Sequence, residues 1–475
     1  LPLTAHLIAA RTHDPAAAYV ADRVEAAWRN ASANPLSSLR RWVPVVFDLR
    51  DVRRVDIGRL PHARHLGGAV VLRGGVEPNA ALIWIDAGQP FLRRGQHFDA
   101  GHFLIRAGGY LVVEGGDDIE FEATYSKGGL QRLGNERRSF DFAQYLTATI
   151  AHNCMLFWDP ARVPRWYGRL YAPTGGQIPL EGTCTDFITP LGARPRTTAR
   201  LLAYGREQTA AYVALDLASA YDPRTVKHYT REFVCLWGRV LIVIDRATTA
   251  NTRVVPTWVI NVPARPRVDG EGLATEARPA GSDNTAGVWR YDEAAWLHWC
   301  DRDGSLWLKS LLPKRRRLAI VGGPARKLVI SEGAHKGRTY AGGAADSFER
   351  LILPSGRPNA ANAWYRLGTP TLLGPQFGIR PHWGRVEVEP LGREEHYLFA
   401  TSMVIDKAQA PEAPDIGVQQ VDGQINLLIS VNTERARIIL PTSEAIGGEL
   451  RVESPEPRHW VFPSSVASDE PLPTR

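Results

Sequence analysis

The chain has 475 residues, of which 44% are hydrophobic and 23% are charged, with a formal net charge of +7. This balance is typical of a globular protein with large cores. No apolar run is as long as a membrane-spanning helix, which needs about 18 residues. The charge indicates an acidic partner or a merely basic surface, and no nucleic-acid-binding motif accompanies it.

Residues 1–30 form the one clearly helical region. Asp14-Pro15 is a helix start signal, and Val20, Val24 and Trp28 follow at helical spacing. We predict a helical segment and linker over residues 1–55. The chain begins at Leu1 rather than Met, which we interpret as processing or truncation, and we expect a secreted or periplasmic protein.

From Trp42 onward the pattern changes to short β-type runs separated by Gly, Pro and Asp. So many strands without intervening helices predict a large antiparallel β-sandwich over residues 56–408. The predicted strands are Val45–Leu49, Ala69–Arg73, Leu82–Asp86, His102–Arg106, Tyr110–Glu114, Ala199–Tyr204, Ala211–Leu217, Phe233–Leu236, Val240–Asp245, Val254–Ile260, Arg385–Glu389 and Tyr397–Val404.

A proline-rich break at residues 410–414 predicts a linker after the sandwich. Beyond it, the pattern predicts a small second β-domain over residues 415–475, with strands at Ile425–Val431 and Arg437–Leu440. The predicted fold class is therefore α+β, mostly antiparallel β. The four cysteines contain no CxxC pair, so we do not expect a zinc thiolate site. They could form up to two disulfides or none, and we expect buried thiols because a core this large does not need disulfides.

Three strand-like apolar runs end in side chains that can bind a metal. His97, Glu114 and His152 offer two imidazoles and a carboxylate, a normal ligand set for zinc. Asp99 would share the strand face of His97, as a further ligand or as an acceptor that orients the ring. The alternative is that each histidine is a hydrogen-bonded interior residue.

The segments around these residues carry a resemblance to a known family. His97–Phe103, Glu114–Gly116 and Thr149–Asn153, in this order, resemble the β-sheet half of the heparinase II/III-like polysaccharide lyases. The similarity covers roughly residues 60–400. It continues in the colinear fragments Val70–Arg73, Val243–Arg246, Val321–Pro324 and Trp383–Val388.

The resemblance implies a structural zinc ion held by His97, Glu114 and His152. The acidic position is more often Asp in the family, and Glu114 is one methylene longer. It also implies that residues 1–30 are the last part of an (α/α) toroid. Relatives place a catalytic His two residues before the zinc-binding His, where this chain has Gly95.

A lyase of this family would remove a proton from a uronate and protonate the leaving oxygen. Tyr125 stands at the spacing where relatives carry an active-site Tyr and is the first candidate acid or base. Arg93 and Arg94 lie beside Gly95 and could pair with a substrate carboxylate. His102 is a candidate to supply the catalytic imidazole that is missing at Gly95. The alternative for Tyr125 is an aromatic residue packed at a strand end, and the alternative for Arg93 and Arg94 is that they are solvated.

Aromatic residues after His152 fit a sugar-binding surface. Trp158, Trp166 and Tyr167 lie in a segment that also carries Arg162 and Arg165, which combines stacking with positive charge. The alternative is a loop that its aromatics pack onto the sandwich.

Two functional hypotheses follow. The first is eliminative cleavage of an acidic polysaccharide. The second is a non-catalytic glycan-binding or structural protein that retains the lyase fold and the zinc. Gly95 favours the second, whereas Tyr125 and the basic charge favour the first.

Overall fold

The computed structural model of the chain describes much of the predicted β-region and a few residues of the N-terminal segment. These residues belong to two compact units, 1–62 with 468–475, and 63–467. The described residues are 9, 17–19, 21–22, 56, 61–66, 68–77, 79–88, 97–115, 149–159, 165–166, 169–170, 175–177, 199–269, 275–277, 287–291, 296–322, 328–329, 339–340, 348–350, 364–366, 383–408 and 413–467.

In the first unit, the described residues of the alanine-rich segment are helical, at positions 9, 17–19 and 21–22. Ala9, Ala18 and Ala21 are fully buried in one apolar cluster. Side chains three residues apart share one face of a helix, which explains why Ala18 and Ala21 are buried together. The helical part of the predicted fold is confirmed at these positions. The predicted strand Val45–Leu49 lies outside the described residues.

The second unit is built from antiparallel strands, numbered β1 to β30 along the chain. A five-stranded meander comes first, and strands that are neighbours in sequence are neighbours in this sheet. Its strands are β1 (Ala63–His65), β2 (Ala69–Arg73), β3 (Leu82–Asp86), β4 (Phe103–Arg106) and β5 (Tyr110–Val112). The predicted bounds of β2 and β3 are confirmed residue for residue. The predicted strand at β4 begins one residue early, and that at β5 ends two residues late.

An eight-stranded antiparallel sheet forms the middle of the unit. In order across the sheet, its strands are β14 (Arg267–Asp269), β17 (Trp296–Asp301), β18 (Gly304–Leu312), β25 (His396–Lys407), β12 (Val240–Thr249), β11 (Val226–Leu236), β10 (Ala210–Asp216) and β9 (Arg200–Glu207).

A six-stranded antiparallel sheet supplies another layer. In order across the sheet, its strands are β15 (Thr275–Ala277), β16 (Gly287–Tyr291), β19 (Arg316–Gly322), β24 (Gly384–Pro390), β13 (Val255–Val262) and β6 (Met155–Trp158). Three short pairs complete the described sandwich region: β7 (Arg165–Trp166) with β8 (Arg169–Leu170), β20 (Leu328–Val329) with β21 (Thr339–Tyr340), and β22 (Phe348–Arg350) with β23 (Trp364–Arg366).

The last sheet is the small C-terminal β-domain. It is a meander of β26 (Asp415–Val421), β27 (Gln424–Val431), β28 (Glu434–Pro441), β29 (Glu449–Ser454) and β30 (Arg458–Val461). The strands predicted within β27 and β28 are confirmed. Within the described residues, no helix is long and apolar enough to cross a membrane.

Two hydrophobic cores lie on opposite faces of the eight-stranded sheet. Val243 belongs to the core shared with the five- and six-stranded sheets. Ile242 and Ile244 belong to the core shared with the C-terminal sheet, where they join residues such as Leu427. Because both faces of β12 are covered, its sequence is a continuous apolar run rather than an alternating one. The predicted antiparallel sandwich with a small β-domain is confirmed.

The cysteines that the structure describes are free thiols, as expected. Cys154 and Cys235 are buried free thiols, and Cys300 is a half-buried one. Cys184 lies outside the described residues. Burial raises the pKa of Cys154 well above its ordinary value, so this thiol stays protonated.

Candidate metal centre

Metal-capable side chains from three separate segments meet at one end of the five-stranded sheet. His97, Asp99 and His102 precede β4, and Glu114 follows β5. Because β4 and β5 are antiparallel, the start of one lies beside the end of the other. His152 follows the short 3-10 helix Thr149–Ala151, and Gly115 N–H donates to Ala151 O at 2.7 Å, which brings that segment to the same place.

The five side chains form two triads that share His152. One triad is His97, Asp99 and His152, and the other is His102, Glu114 and His152. Within each triad the candidate ligand atoms lie within 4.8 Å of one another. The ring centroid of His152 is 4.9 Å from that of His97 and 5.2 Å from that of His102. The predicted set of His97, Glu114 and His152 therefore takes members from both triads.

The hydrogen bonding of His102 defines what its ring can do. Its Nδ1 accepts the backbone N–H of Asn153 at 2.9 Å. A neutral ring must then carry its proton on Nε2, which lies 3.7 Å from Glu114 Oε1. A protonated Nε2 has no lone pair for a metal. In this tautomer His102 is a donor directed at Glu114 rather than a ligand.

The carboxyl groups near the cluster have raised pKa values. Burial raises the pKa of Asp99 to about 7, with Asp86 and Glu114 adding repulsion that His97 partly offsets. Burial also raises the pKa of Asp86 to about 6, although the Gly88 N–H donates to its carboxylate at 2.8 Å. Negative charges gathered in a buried place are stabilised by a cation, so the donor set is suited to binding one.

Asn153 links three backbone segments around the cluster. Its side-chain amide donates to Phe103 O at 2.7 Å and to Val113 O at 3.0 Å. Its Oδ1 accepts the N–H of Asn261 in β13 at 2.6 Å. The side chain is fully buried, so these backbone groups depend on it for pairing.

We expect Asn153→Ala to lower the free energy of unfolding by roughly 3 kcal/mol, because it leaves buried backbone groups without their partner. Urea unfolding would measure the change. Asn426→Ala on β27, where the side chain is only half-buried, is the control and should shift the midpoint much less. Equal shifts in the two variants would contradict the assigned role of Asn153.

Gln177 ties the segment before β4 to the 3-10 helix. Its side chain donates to Ala100 O at 2.9 Å and accepts Ala100 N–H at 3.0 Å, while its own N–H donates to Thr149 Oγ1 at 2.7 Å. Thr149 Oγ1 in turn donates to Phe98 O at 2.8 Å. Nothing in the local sequence marks Gln177 as part of a site, because it is a lone Gln in a Gly-containing segment.

Arg231 joins both ligand-bearing segments to the eight-stranded sheet. The guanidinium, on β11, donates from Nε to Asp245 Oδ1 at 2.6 Å and from Nη2 to Oδ2 at 3.2 Å. Its Nη1 donates to Gly101 O at 2.9 Å and to Asn153 O at 2.7 Å. Arg231 and Asp245 are fully buried. Burial alone would lower the pKa of Arg231, but Asp245 and Tyr229 raise it further, so the group stays charged.

Several predicted site residues fall where the structure gives no side chain. Arg93, Arg94, Gly95, Tyr125 and Tyr167 lie outside the described residues.

For Trp166 only the backbone is described, in β7, where it pairs with Arg169. Trp158 ends β6, half-buried and paired with Val255 across the six-stranded sheet. The predicted sugar-binding role of these aromatics stays a prediction.

Comparison with known proteins gives similarity only among solved structures, since neither a protein-family model nor a curated protein matches this chain. Heparan sulfate lyase HepC from Pedobacter heparinus aligns at 14% identity and a TM-score of 0.43, over 90% of this chain and 49% of its own. A heparinase III structure aligns at 11% identity and a TM-score of 0.42, over 93% of this chain and 47% of its own. A second heparinase III structure aligns at 10% identity and a TM-score of 0.40, over 85% of this chain and 43% of its own.

The chain spans about half the length of these structures. The matched proteins are heparinases and a heparan sulfate lyase, the group of polysaccharide lyases that the motifs of this chain resemble.

Proposed function

We propose that this chain is a polysaccharide lyase-type protein that cleaves an acidic, uronic-acid-containing polysaccharide by β-elimination and holds a structural zinc ion. One observation supports the proposal most directly. The three motifs that resemble those of lyases are separate in sequence, and their His97, Glu114 and His152 belong to the two triads that share His152. Such convergence of imidazoles and a carboxylate is expected of a metal centre rather than of unrelated interior residues.

The donor set fits zinc in its chemistry. Imidazole nitrogen and carboxylate oxygen are normal zinc ligands, and His97, Asp99 and His152 provide both types within 4.8 Å of one another. Glu114 lies beside them, with its Oε1 3.7 Å from His102 Nε2, so His102 supports the site from outside the ligand set. The zinc ion would supply a fixed positive charge that holds these segments together.

We assign His102 to this supporting role rather than to catalysis. The residue is 2% exposed, and its two ring nitrogens face Asn153 and Glu114. A group that exchanges a proton with a polymer must reach it directly or through one water. Tyr125 therefore remains the proposed acid or base, with Arg94 and Arg93 proposed to neutralise the substrate carboxylate.

In the proposed reaction a base takes the proton from C5 of the uronate, and the bond from C4 to the bridging oxygen breaks. The electron pair of the broken C–H bond forms the C4–C5 double bond, and the leaving oxygen takes a proton from the acid. Neutralising the carboxylate stabilises the charge that develops next to C5. Because the unsaturated product absorbs ultraviolet light, the reaction can be followed directly.

The test is an absorbance time course of the full-length protein with a panel of acidic polysaccharides. We expect a steady rise with at least one polymer, and Tyr125→Phe should abolish it because the phenolic proton is lost. Tyr110→Phe on β5 is the matched control and should retain the rise. A rate unchanged in Tyr125→Phe would remove Tyr125 from the mechanism.

The second candidate function is a non-catalytic glycan-binding or structural protein that retains the zinc. Gly95 favours it, because the resemblance expects a catalytic His at that position. Absorbance that stays flat across the whole panel, with one zinc ion bound per chain, would support this function over the first. Either function is consistent with the proposed secreted or periplasmic location, where such polymers are met.

A further inference from the structure

The outer face of the five-stranded sheet carries an exposed tryptophan among apolar neighbours. On β3, Ile83 and Ile85 are buried, whereas Leu82 and Trp84 point outward and are 43% and 42% exposed. Trp84 is paired with Val71 on β2 and with Leu104 on β4, and both of these are half-buried. A large aromatic left this exposed among apolar neighbours on a sheet surface indicates a surface that binds something.

Three arginines flank this apolar strip. Leu82 is paired with Arg73 on one side and with Arg106 on the other, and Arg106 is exposed. Arg64 on β1 is paired with Val71, in the same row as Trp84. Burial lowers the pKa of Arg73, and the nearby Glu77 carboxylate partly offsets this. The face formed by Arg64, Arg73, Leu82, Trp84 and Arg106, here called the Trp84 face, is thus apolar at its centre and positive at its edges.

The Trp84 face leads directly to the metal centre. Residues two apart on a strand share a face and lie about 7 Å apart, so Asp86 follows Trp84 on the same side of β3. The N–H of Asp86 donates to His102 O at 2.8 Å, and its O accepts Gly101 N–H at 3.2 Å. A long ligand lying on this face would therefore run towards the cluster of His97, Asp99 and His152.

We propose that the Trp84 face binds a segment of acidic polysaccharide next to the metal centre. Indole rings stack on sugar rings, and arginine pairs with carboxylate or sulfate groups in two-point contacts. The charge also disfavours a second copy of the chain, because a symmetric contact would bring two sets of arginines together. The ligand class follows the proposed function, but binding at this face does not require that the chain cleaves the polymer.

The experiment measures the affinity of the full-length protein for heparin, with dextran as the uncharged comparison. We expect Trp84→Ala to weaken heparin binding about tenfold, with Trp84→Tyr retaining most of it, since the stacking ring is kept. Arg106→Gln should weaken binding and lower its dependence on salt, because one ionic contact is lost. Zinc content should stay unchanged in all three variants, and the melting temperature should fall only slightly, most in Trp84→Ala, whose side chain is 42% exposed.

Matched controls come from the small C-terminal sheet. Trp460→Ala on β30 and Arg437→Gln on β28 remove the same side-chain types from another sheet, and we expect heparin affinity to be unchanged. If Trp84→Ala and Arg106→Gln also bind heparin like the parent protein, the proposal is overturned. Dimerisation on sedimentation that Trp84→Ala abolishes would equally overturn it, because the occupant would be a second copy.

This test separates the two proposals. Elimination that is absent from the parent protein, together with heparin binding that Trp84→Ala weakens, would overturn the lyase function and support the Trp84 face. If the parent protein shows elimination and heparin binding is unchanged in the Trp84 and Arg106 variants, the lyase function would be supported and the Trp84 face would be overturned. Tyr125→Phe should lose elimination while it retains heparin binding, because the change removes one hydroxyl group and leaves the residues of the Trp84 face as they are.

Discussion

Arg231→Met is expected to lower the free energy of unfolding by roughly 3–5 kcal/mol, because it leaves the buried Asp245 carboxylate without its cation. The same change removes the donor to Gly101 O and Asn153 O. Those carbonyls belong to the two segments that carry His102 and His152. We therefore expect zinc affinity to fall together with stability. Urea unfolding and a competitive zinc titration with a chelator measure the two effects separately.

The same two strands contain a matched control on their opposite face. Arg246 on β12 is ion-paired with Glu232 on β11 and donates to Pro441 O at 2.9 Å, towards the small C-terminal sheet. Adjacent residues on a strand point to opposite faces, so this pair lies away from the metal centre. Arg246→Met should cost comparable stability and leave zinc affinity unchanged. Zinc affinity that is the same in both variants would make Arg231 a purely structural residue.

A milder variant keeps this prediction testable if Arg231→Met fails to fold. Arg231→Lys retains the charge opposite Asp245 but cannot keep the two-point contact and both carbonyl bonds at once. We expect a smaller loss of stability with a clear loss of zinc affinity. A lysine variant that binds zinc like the parent protein would show that the contacts to Gly101 O and Asn153 O do not position the ligands.

His152→Ala is expected to abolish stoichiometric zinc binding, because the imidazole of His152 belongs to both triads. A ligand present at 100 times its dissociation constant stabilises the folded state by about 2.7 kcal/mol, so removing bound zinc should lower the melting temperature. We expect a chelator to lower the melting temperature of the parent protein and to leave that of His152→Ala unchanged. Elemental analysis of the dialysed proteins gives the zinc content directly.

Other variants identify the triad that holds the zinc ion. His97→Ala and Asp99→Asn should lose zinc if the first triad binds it, whereas Glu114→Gln should then weaken binding only partly. His459→Ala on β30 removes an exposed histidine from the small C-terminal sheet and should keep full zinc content. One zinc ion per chain retained in His152→Ala would contradict a metal centre at this cluster.

Much of the fold followed from the sequence by itself. The short apolar runs Leu82–Asp86 and Val240–Ile244, bounded by turn-forming residues, define strands by local rules, and the lack of helices between such runs predicts antiparallel pairing. Ligand chemistry likewise pointed to His97, Glu114 and His152, because imidazoles and carboxylates at strand ends are few and recognisable in a chain.

Only the tertiary structure decided what those residues contact. Local periodicity shows that Arg231 and Glu232 face opposite sides of a strand, but not that Asp245 covers one and Arg246 the other.

The tautomer of His102 depends on the N–H of Asn153, which lies on a separate segment. Such partners are brought together by strand pairing between distant parts of the chain. A sequence pattern therefore names the side chains of a buried site, whereas the packing of the sheets assigns their roles.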